Sequence, residues 1–373
     1  MRRGELIAAV LAGSWRAVPP GPAVPTDQLV GLLPRLFGTP LRSLAWWSVR
    51  DSPARSLPGA AELRDAYRYA ALEAAIHEEN LRELVAALQA AGIQPLLVKG
   101  WAVARLYPEP ALRPYSDVDL WVPPEQLARA QQAVDALEGL MLSVDLQSEF
   151  RYLDDRTLEG VRARAELAVL GDVELSVIGP EDHLRFLAMH MLSDALRNPI
   201  WLCDVGAFVE SLPAGFDWDY GLSGAPGCSE WVICVLALAH QLLGARLDGA
   251  GLPMDVAGYR LPRWLIPAVL HRWGRLGERT LAGTTASYLR QPGLFLEAFR
   301  DRWGDPIETT FRWRGAPNDL PRFPYQLGDC LGRAFWFAAR SGLSRLRPGA
   351  YREPPAAWRR WRPPRPRAGG MRR

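Results

Sequence analysis

Apolar residues recur at helical spacing between Ala60 and Ala91, at Leu63, Tyr67, Ala70, Ala74, Leu81, Leu84, Val85 and Leu88, with polar residues between them. This predicts one or two amphipathic helices, closed by Gly92 as a C-cap. The pattern then shortens. Ile93 to Val98 is a continuous apolar run suited to a buried strand, ended by Lys99-Gly100. Trp101 to Tyr107 reads as helix, stopped by Pro108 and Pro110. After a loop at residues 113–116, Asp117 to Val122 has alternating strand character, and Pro124 to Leu137 is helical again. Leu140 to Leu153 alternates in part. Val161 to Leu170 and Val173 to Ile178 flank Gly171-Asp172 and predict a hairpin. Beyond Pro180, Leu184, Leu187, Ala188, Met191, Leu192 and Ala195 mark one helix face, and Trp201 to Leu212 forms the next helix. The chain stays mainly helical to about Leu346, with breaks at 221–227, 249–253 and 314–324, while residues 1–60 read as an irregular helical lead-in. The fold class is α+β, with a small α/β unit between helical flanks.

Composition narrows the class. The 373 residues suit two or three units on one chain. With 49% hydrophobic and 23% charged residues, the chain is a soluble globular protein rather than a disordered, fibrous or disulfide-framework one. No uncharged apolar run reaches the ~18 residues needed to span a membrane. The stretch Leu6–Gly13 is too short for a secretory core and follows Glu5, so it reads as the first turns of an amphipathic helix. Cys203, Cys228, Cys234 and Cys330 lack CxxC or metal spacing, which predicts reduced thiols in a cytoplasm.

Charge is uneven. From Arg345 to Arg373 ten arginines face one acid, Glu353, so this Pro- and Trp-rich tail carries +9 and the rest of the chain −6. Such a tail reads first as a solvated basic end; RNA, an anionic lipid surface or an acidic partner is the functional alternative. Lys99 is the single lysine among 44 basic residues. That points to a place where a compact ammonium cannot be exchanged for a flat guanidinium fork.

Asp117 and Asp119 lie two apart on a predicted strand and so share a face, about 7 Å apart at Cα. Two like charges there repel unless a cation lies between them, and oxygen-only ligands favour Mg²⁺ or Mn²⁺. Glu174, in the later predicted strand, supplies a third carboxylate if the strands neighbour one another. A strand ending in Gly100 and turning into a helix allows close approach of phosphates.

The run Leu96-Leu97-Val98-Lys99-Gly100-Trp101, then Tyr107-Pro108, then Arg113-Pro114-Tyr115-Ser116-Asp117-Val118-Asp119, resembles a known family. It is similar to the bacterial uncharacterised nucleotidyltransferase family of the DNA polymerase β-type nucleotidyltransferase superfamily. The likeness is dense over residues 93–122 and fainter through Glu174, His190 and Trp201-Leu202-Cys203-Asp204-Val205. It implies a nucleotidyltransferase-type mixed sheet core with flanking helices and a mainly helical C-terminal region. Asp117, Asp119 and Glu174 would hold two Mg²⁺ or Mn²⁺ ions and carry catalysis. Lys99, Gly100, Trp101, Arg113 and Ser116 would bind an NTP. The implied reaction moves an NMP to an acceptor hydroxyl and releases pyrophosphate. Two positions depart from the pattern: Trp101 stands where the superfamily has Ser or a second Gly, and Glu174-Leu175-Ser176 where the family often has Asp-Leu-His.

The expected organisation is a helical lead-in at 1–75, the α/β core at 76–180, a helical domain at 181–344 and the tail at 345–373. The acceptor would be a small molecule, peptide or protein; the alternatives are RNA ends, as in toxin-like enzymes, or a catalytically silent nucleotide-binding or assembly subunit. Arg113 has two readings, a phosphate clamp or a partner of Glu109 or Asp117. His190, Asp204 and Tyr107 are candidates for the cleft but read more readily as packed structural residues. His77-Glu78-Glu79 is no zincin motif, and Walker A, GxGxxG and GxSxG are absent.

Overall fold

A computed structural model gives the architecture and describes residues 1–149, 152–153, 155–225, 227–253, 255–278, 288 and 290–346. The basic tail, from residue 347 on, lies outside the described residues. The chain opens with helices α1 (Arg3–Leu11), α2 (Thr26–Leu29), α3 (Leu33–Leu36), α4 (Arg42–Val49) and the long α5 (Ala60–Ala90). Next come β1 (Leu96–Leu97), α6 (Trp101–Ala104), β2 (Asp117–Trp121), α7 (Leu127–Asp135), β3 (Ser143–Gln147), α8 (Leu158–Ala163), β4 (Glu166–Leu170) and β5 (Val173–Val177). Helices follow: α9 (Pro180–Ser193), α10 (Ile200–Glu210), α11 (Trp218–Leu222), α12 (Cys228–Leu243), α13 (Leu265–Gly274), α14 (Pro292–Arg302), α15 (Pro306–Arg312) and α16 (Phe323–Leu346). The fold is α+β. One compact unit runs from Met1 to Gln326 and a second begins at Leu327. No helix among the described residues is long and apolar enough to cross a membrane.

Helix α5 is continuous because no Pro or Gly interrupts it and its buried residues from Leu63 to Leu88 recur at helical spacing along one face. It serves two cores. Leu63 belongs to a helical core shared by α1, α4, α9, α10, α12 and α13, whereas Leu81, Leu84, Val85 and Leu88 pack with the sheet. Helices α1 and α13 approach so closely that a Cβ on Gly4 would lie 1.9 Å from the Leu270 carbonyl oxygen. A side chain there would push the two helices apart.

The sheet order is β3-β2-β1-β5-β4. Central β1 runs antiparallel to β2 and parallel to β5. Strand β3 returns through α7 to pair parallel with β2, with Asp145 opposite Asp119. Strands β4 and β5 form the expected hairpin, turning at Gly171 with φ +63°. Two boundaries differ from the sequence pattern. The run from Val161 begins in helix α8, because the Thr157 side chain accepts from the Gly160 amide and caps that helix, so β4 starts only at Glu166. The helix after Gly100 spans only Trp101–Ala104, and the chain turns before Pro108.

Candidate active site

Strand β2 carries the two aspartates on one face, while the alternating Val118 and Leu120 are fully buried. Asp117 is half-exposed at the strand start; Asp119 is buried at 6%. Lys99 reaches across from the end of β1. Its Nζ lies 2.9 Å from Asp119 Oδ2 and 3.5 Å from Asp117 Oδ2. The closer contact is an ion pair, and the longer one is a hydrogen bond that Lys99 donates to Asp117. Gly100 allows this approach. Its φ is +69°, and a Cβ would sit 2.9 Å from the Asp117 carbonyl oxygen. The glycine is therefore needed by the backbone of β2 itself, whatever else it approaches.

The acid facing this pair comes from β3. Asp145 stands opposite Asp119, and Gln147 Nε2 donates to Asp119 Oδ1 at 2.8 Å and to Asp145 Oδ2 at 2.9 Å. One amide thus ties the two carboxylates together. Three carboxylates against one ammonium leave two negative charges in this cluster.

Glu174 is not part of it. On β5 it stands two residues before Ser176, which pairs with Leu96 and, through it, lines up with Trp121. Asp119 lies two residues from Trp121 in the opposite direction, so the strand offset alone is about 13 Å. Two strand spacings add to that. Glu174 is exposed, pairs with Val169 at the far end of the hairpin, and lends its backbone carbonyl to Gln89. Among the described residues no three His, Cys, Asp or Glu side chains already converge as a metal cluster. The donor set of Asp117, Asp119 and Asp145 is nevertheless all hard oxygen, and the buried Oδ2 of Asp119, now countered only by the Lys99 charge, is the kind of atom a divalent cation takes over.

A profile of the uncharacterised nucleotidyltransferase family matches residues 39–142 and 138–244. The chain belongs to this family. No curated protein and no solved structure matches it. The matched stretch runs from just before α4 through the sheet to the end of α12, taking in the sheet core and part of the helical core.

Several family-like residues turn out to hold that stretch together. Arg113 Nε donates to Asp204 at 2.7 and 3.0 Å, and Tyr107 O–H donates to the same carboxylate at 2.7 Å. Asp204, on α10, is fully buried. Burial works against the Arg113 charge, but Asp204 outweighs it and holds the guanidinium protonated beyond its ordinary range. Burial first, then Asp204, pushes the Tyr107 hydroxyl well above the usual phenol range. Arg113 is therefore engaged with Asp204, and neither Glu109 nor Asp117 is its hydrogen-bonding partner. Trp101 is buried and donates Nε1–H to Glu78 on α5 at 3.1 Å. His190 sits among the rings of Tyr152, Phe186 and Trp201. Ser116 is exposed beside Asp117, its carbonyl accepting from the Ser143 amide at 2.9 Å. Of the sequence candidates, Asp117, Asp119, Lys99 and Gly100 come together with Ser116 next to them; Arg113, Trp101 and Glu174 point elsewhere. Asp145 and Gln147 are the residues that sequence reasoning missed.

Proposed function

We propose that the protein is a divalent-metal-dependent nucleotidyltransferase that moves an NMP from an NTP to a hydroxyl of a small molecule, peptide or protein. The observation that carries this reading is the set of Asp117, Asp119 and Asp145 on adjacent strands, with Asp119 buried and held by an ion pair to Lys99. Asp117 and Asp119 would hold Mg²⁺ or Mn²⁺, with Asp145 rather than Glu174 as the third acid. The metal, when bound, supplies charge neutralisation and polarises the phosphate. Asp145 is exposed and only its Oδ2 is held by Gln147, so Oδ1 is free to take the proton of the acceptor hydroxyl. The acceptor oxygen then forms a bond to the α-phosphorus as the bond to the bridging oxygen breaks, and pyrophosphate leaves. Lys99, Gly100 and Ser116, which adjoin the aspartates, would hold the triphosphate.

A second reading, a nucleotide-binding subunit without catalysis, is favoured by Lys99 already occupying the place between the aspartates and by Trp101 providing no hydroxyl near Gly100. Incubation with each α-³²P-labelled NTP, Mg²⁺ or Mn²⁺ and a host lysate plus small-molecule extract separates the two. Label transfer by the parent and none by Asp117→Ala/Asp119→Ala is the expected result. Nucleotide binding with no label moved into any fraction would support the silent subunit.

A further inference from the structure

Lys99 occupies the place between two carboxylates that a divalent cation would take. Its ammonium is within 3.5 Å of one oxygen from each aspartate, and its side chain is only a quarter exposed. A divalent ion held by the same oxygens would face this ammonium at contact distance. Like charges at contact distance repel strongly even near a protein surface. The two cations cannot share the site. We propose that Lys99 is a positioning residue that closes the aspartate pair against metal alone and is drawn off by the triphosphate, so that metal binding depends on nucleotide. This rests on the nucleotidyltransferase reading above.

Three observations support the clasp. First, the chain uses arginine at 43 of its 44 basic positions, and lysine only here. A guanidinium would grip a carboxylate with a rigid bidentate fork, whereas a point-charge ammonium on a flexible stem can change partners. Second, the ammonium is shared, 2.9 Å from Asp119 Oδ2 in an ion pair and donating to Asp117 Oδ2 at 3.5 Å, so neither carboxylate holds it alone. Third, the other oxygen of Asp119 is fixed by Gln147, which also holds Asp145, so the carboxylates stay in place when Lys99 leaves. The triphosphate is the one substrate group with enough negative charge to draw the ammonium from two carboxylates. Once there, Lys99 neutralises part of the phosphate charge and frees both aspartates for the metal. Metal and nucleotide then each raise the other's affinity.

The test measures Mn²⁺ binding by calorimetry and by the loss of free-Mn²⁺ electron paramagnetic resonance signal. It compares the parent, Lys99→Met, Lys99→Arg and Asp119→Asn, with and without a mixture of the four α,β-methylene NTP analogues. Lys99→Met is expected to bind Mn²⁺ alone on the order of tenfold tighter than the parent. Addition of analogue should strengthen Mn²⁺ binding more in the parent than in Lys99→Met. Lys99→Arg should bind Mn²⁺ alone as weakly as the parent and gain less from analogue. Should Lys99→Met fail to fold, Lys99→Gln, which removes the charge and keeps a hydrogen-bonding end, replaces it. Equal Mn²⁺ affinity in the parent and the neutral variant, with Asp119→Asn weaker than both, overturns the clasp and leaves the metal reading standing. Mn²⁺ binding that Asp119→Asn does not weaken, with or without analogue, overturns both.

Discussion

At the scale of single residues, the third acid is the sharpest point. Asp145 faces Asp119 across one strand spacing, whereas Glu174 is displaced along and across the sheet. Asp145→Asn should therefore lower Mn²⁺ affinity in the presence of nucleotide by tenfold or more, while Glu174→Gln leaves it unchanged. Calorimetry on the two variants side by side checks this, and the reverse order would return the role to Glu174. Gly100 offers a second test. An alanine there must hold φ near +69° and place its Cβ against the Asp117 carbonyl oxygen. Gly100→Ala should cost about 1–3 kcal/mol in a urea titration. It should also weaken metal binding, because the atom that must yield belongs to the backbone of Asp117. A phosphate-contact role alone would leave stability in the absence of nucleotide untouched.

At the scale of elements, the buried link between the sheet's approach loop and α10 decides how the site is held. Removing the carboxylate with Asp204→Ala strands the Arg113 charge in a buried place, with an expected loss of about 3–5 kcal/mol. The double variant Arg113→Met/Asp204→Ala should recover part of that loss in the same denaturation experiment. Nucleotide affinity of the folded double variant should match the parent, since Arg113 is bonded to Asp204 rather than presented to the site. Much of this architecture was legible beforehand. The helical spacing of apolar residues in α5, the alternation of β2 and the Gly171-Asp172 turn all state their elements locally, and the structure has them. Strand order is another matter. Periodicity identifies a strand without saying which strand it joins, so Glu174, the acid noticed on a later predicted strand, stands in the sequence as the one to complete the Asp117–Asp119 pair, and Asp145 is passed over. The stretch β2–α7–β3 held the missing signal: a strand, a helix and a strand in close succession favour a parallel neighbour. Asp145 then falls two residues into β3 as Asp119 does into β2. Arg113 was misleading for a related reason. A basic residue just before an acidic strand invites a phosphate partner, and its real partner lies 91 positions further on.

At the scale of the whole molecule, stability should fall with acid for an identifiable reason. His183 on α9 is fully enclosed, its ring edge-on to Phe208 at 5.1 Å, and its Nε2 has no hydrogen-bond partner. Burial, with a smaller contribution from the Arg105 charge, holds its pKa down at about 3. The unfolded chain takes up the proton near its ordinary value of about 6.5 and the folded chain refuses it. The contribution is therefore complete above about pH 6.5 and is lost as pH falls towards 3, by about 1.4 kcal/mol per pH unit in between. His183→Gln should flatten that part of a stability-against-pH curve measured by urea titration. The charge division of the chain predicts a separate behaviour. If RNA ends are the acceptor, binding should weaken steeply with salt and vanish on deleting residues 345–373, while NTP binding persists. A final consequence comes from the Tyr107–Arg113–Asp204 contact. Any attempt to produce the α/β half as an isolated fragment would sever Arg113 from its counter-charge and leave a bare cation facing the lost neighbour. Such a half should be insoluble when made alone and should be rescued by co-production of the helical half, with an intact Asp204 as the condition for rescue. The gene can then be cut only where both sides of that contact remain within reach of one another.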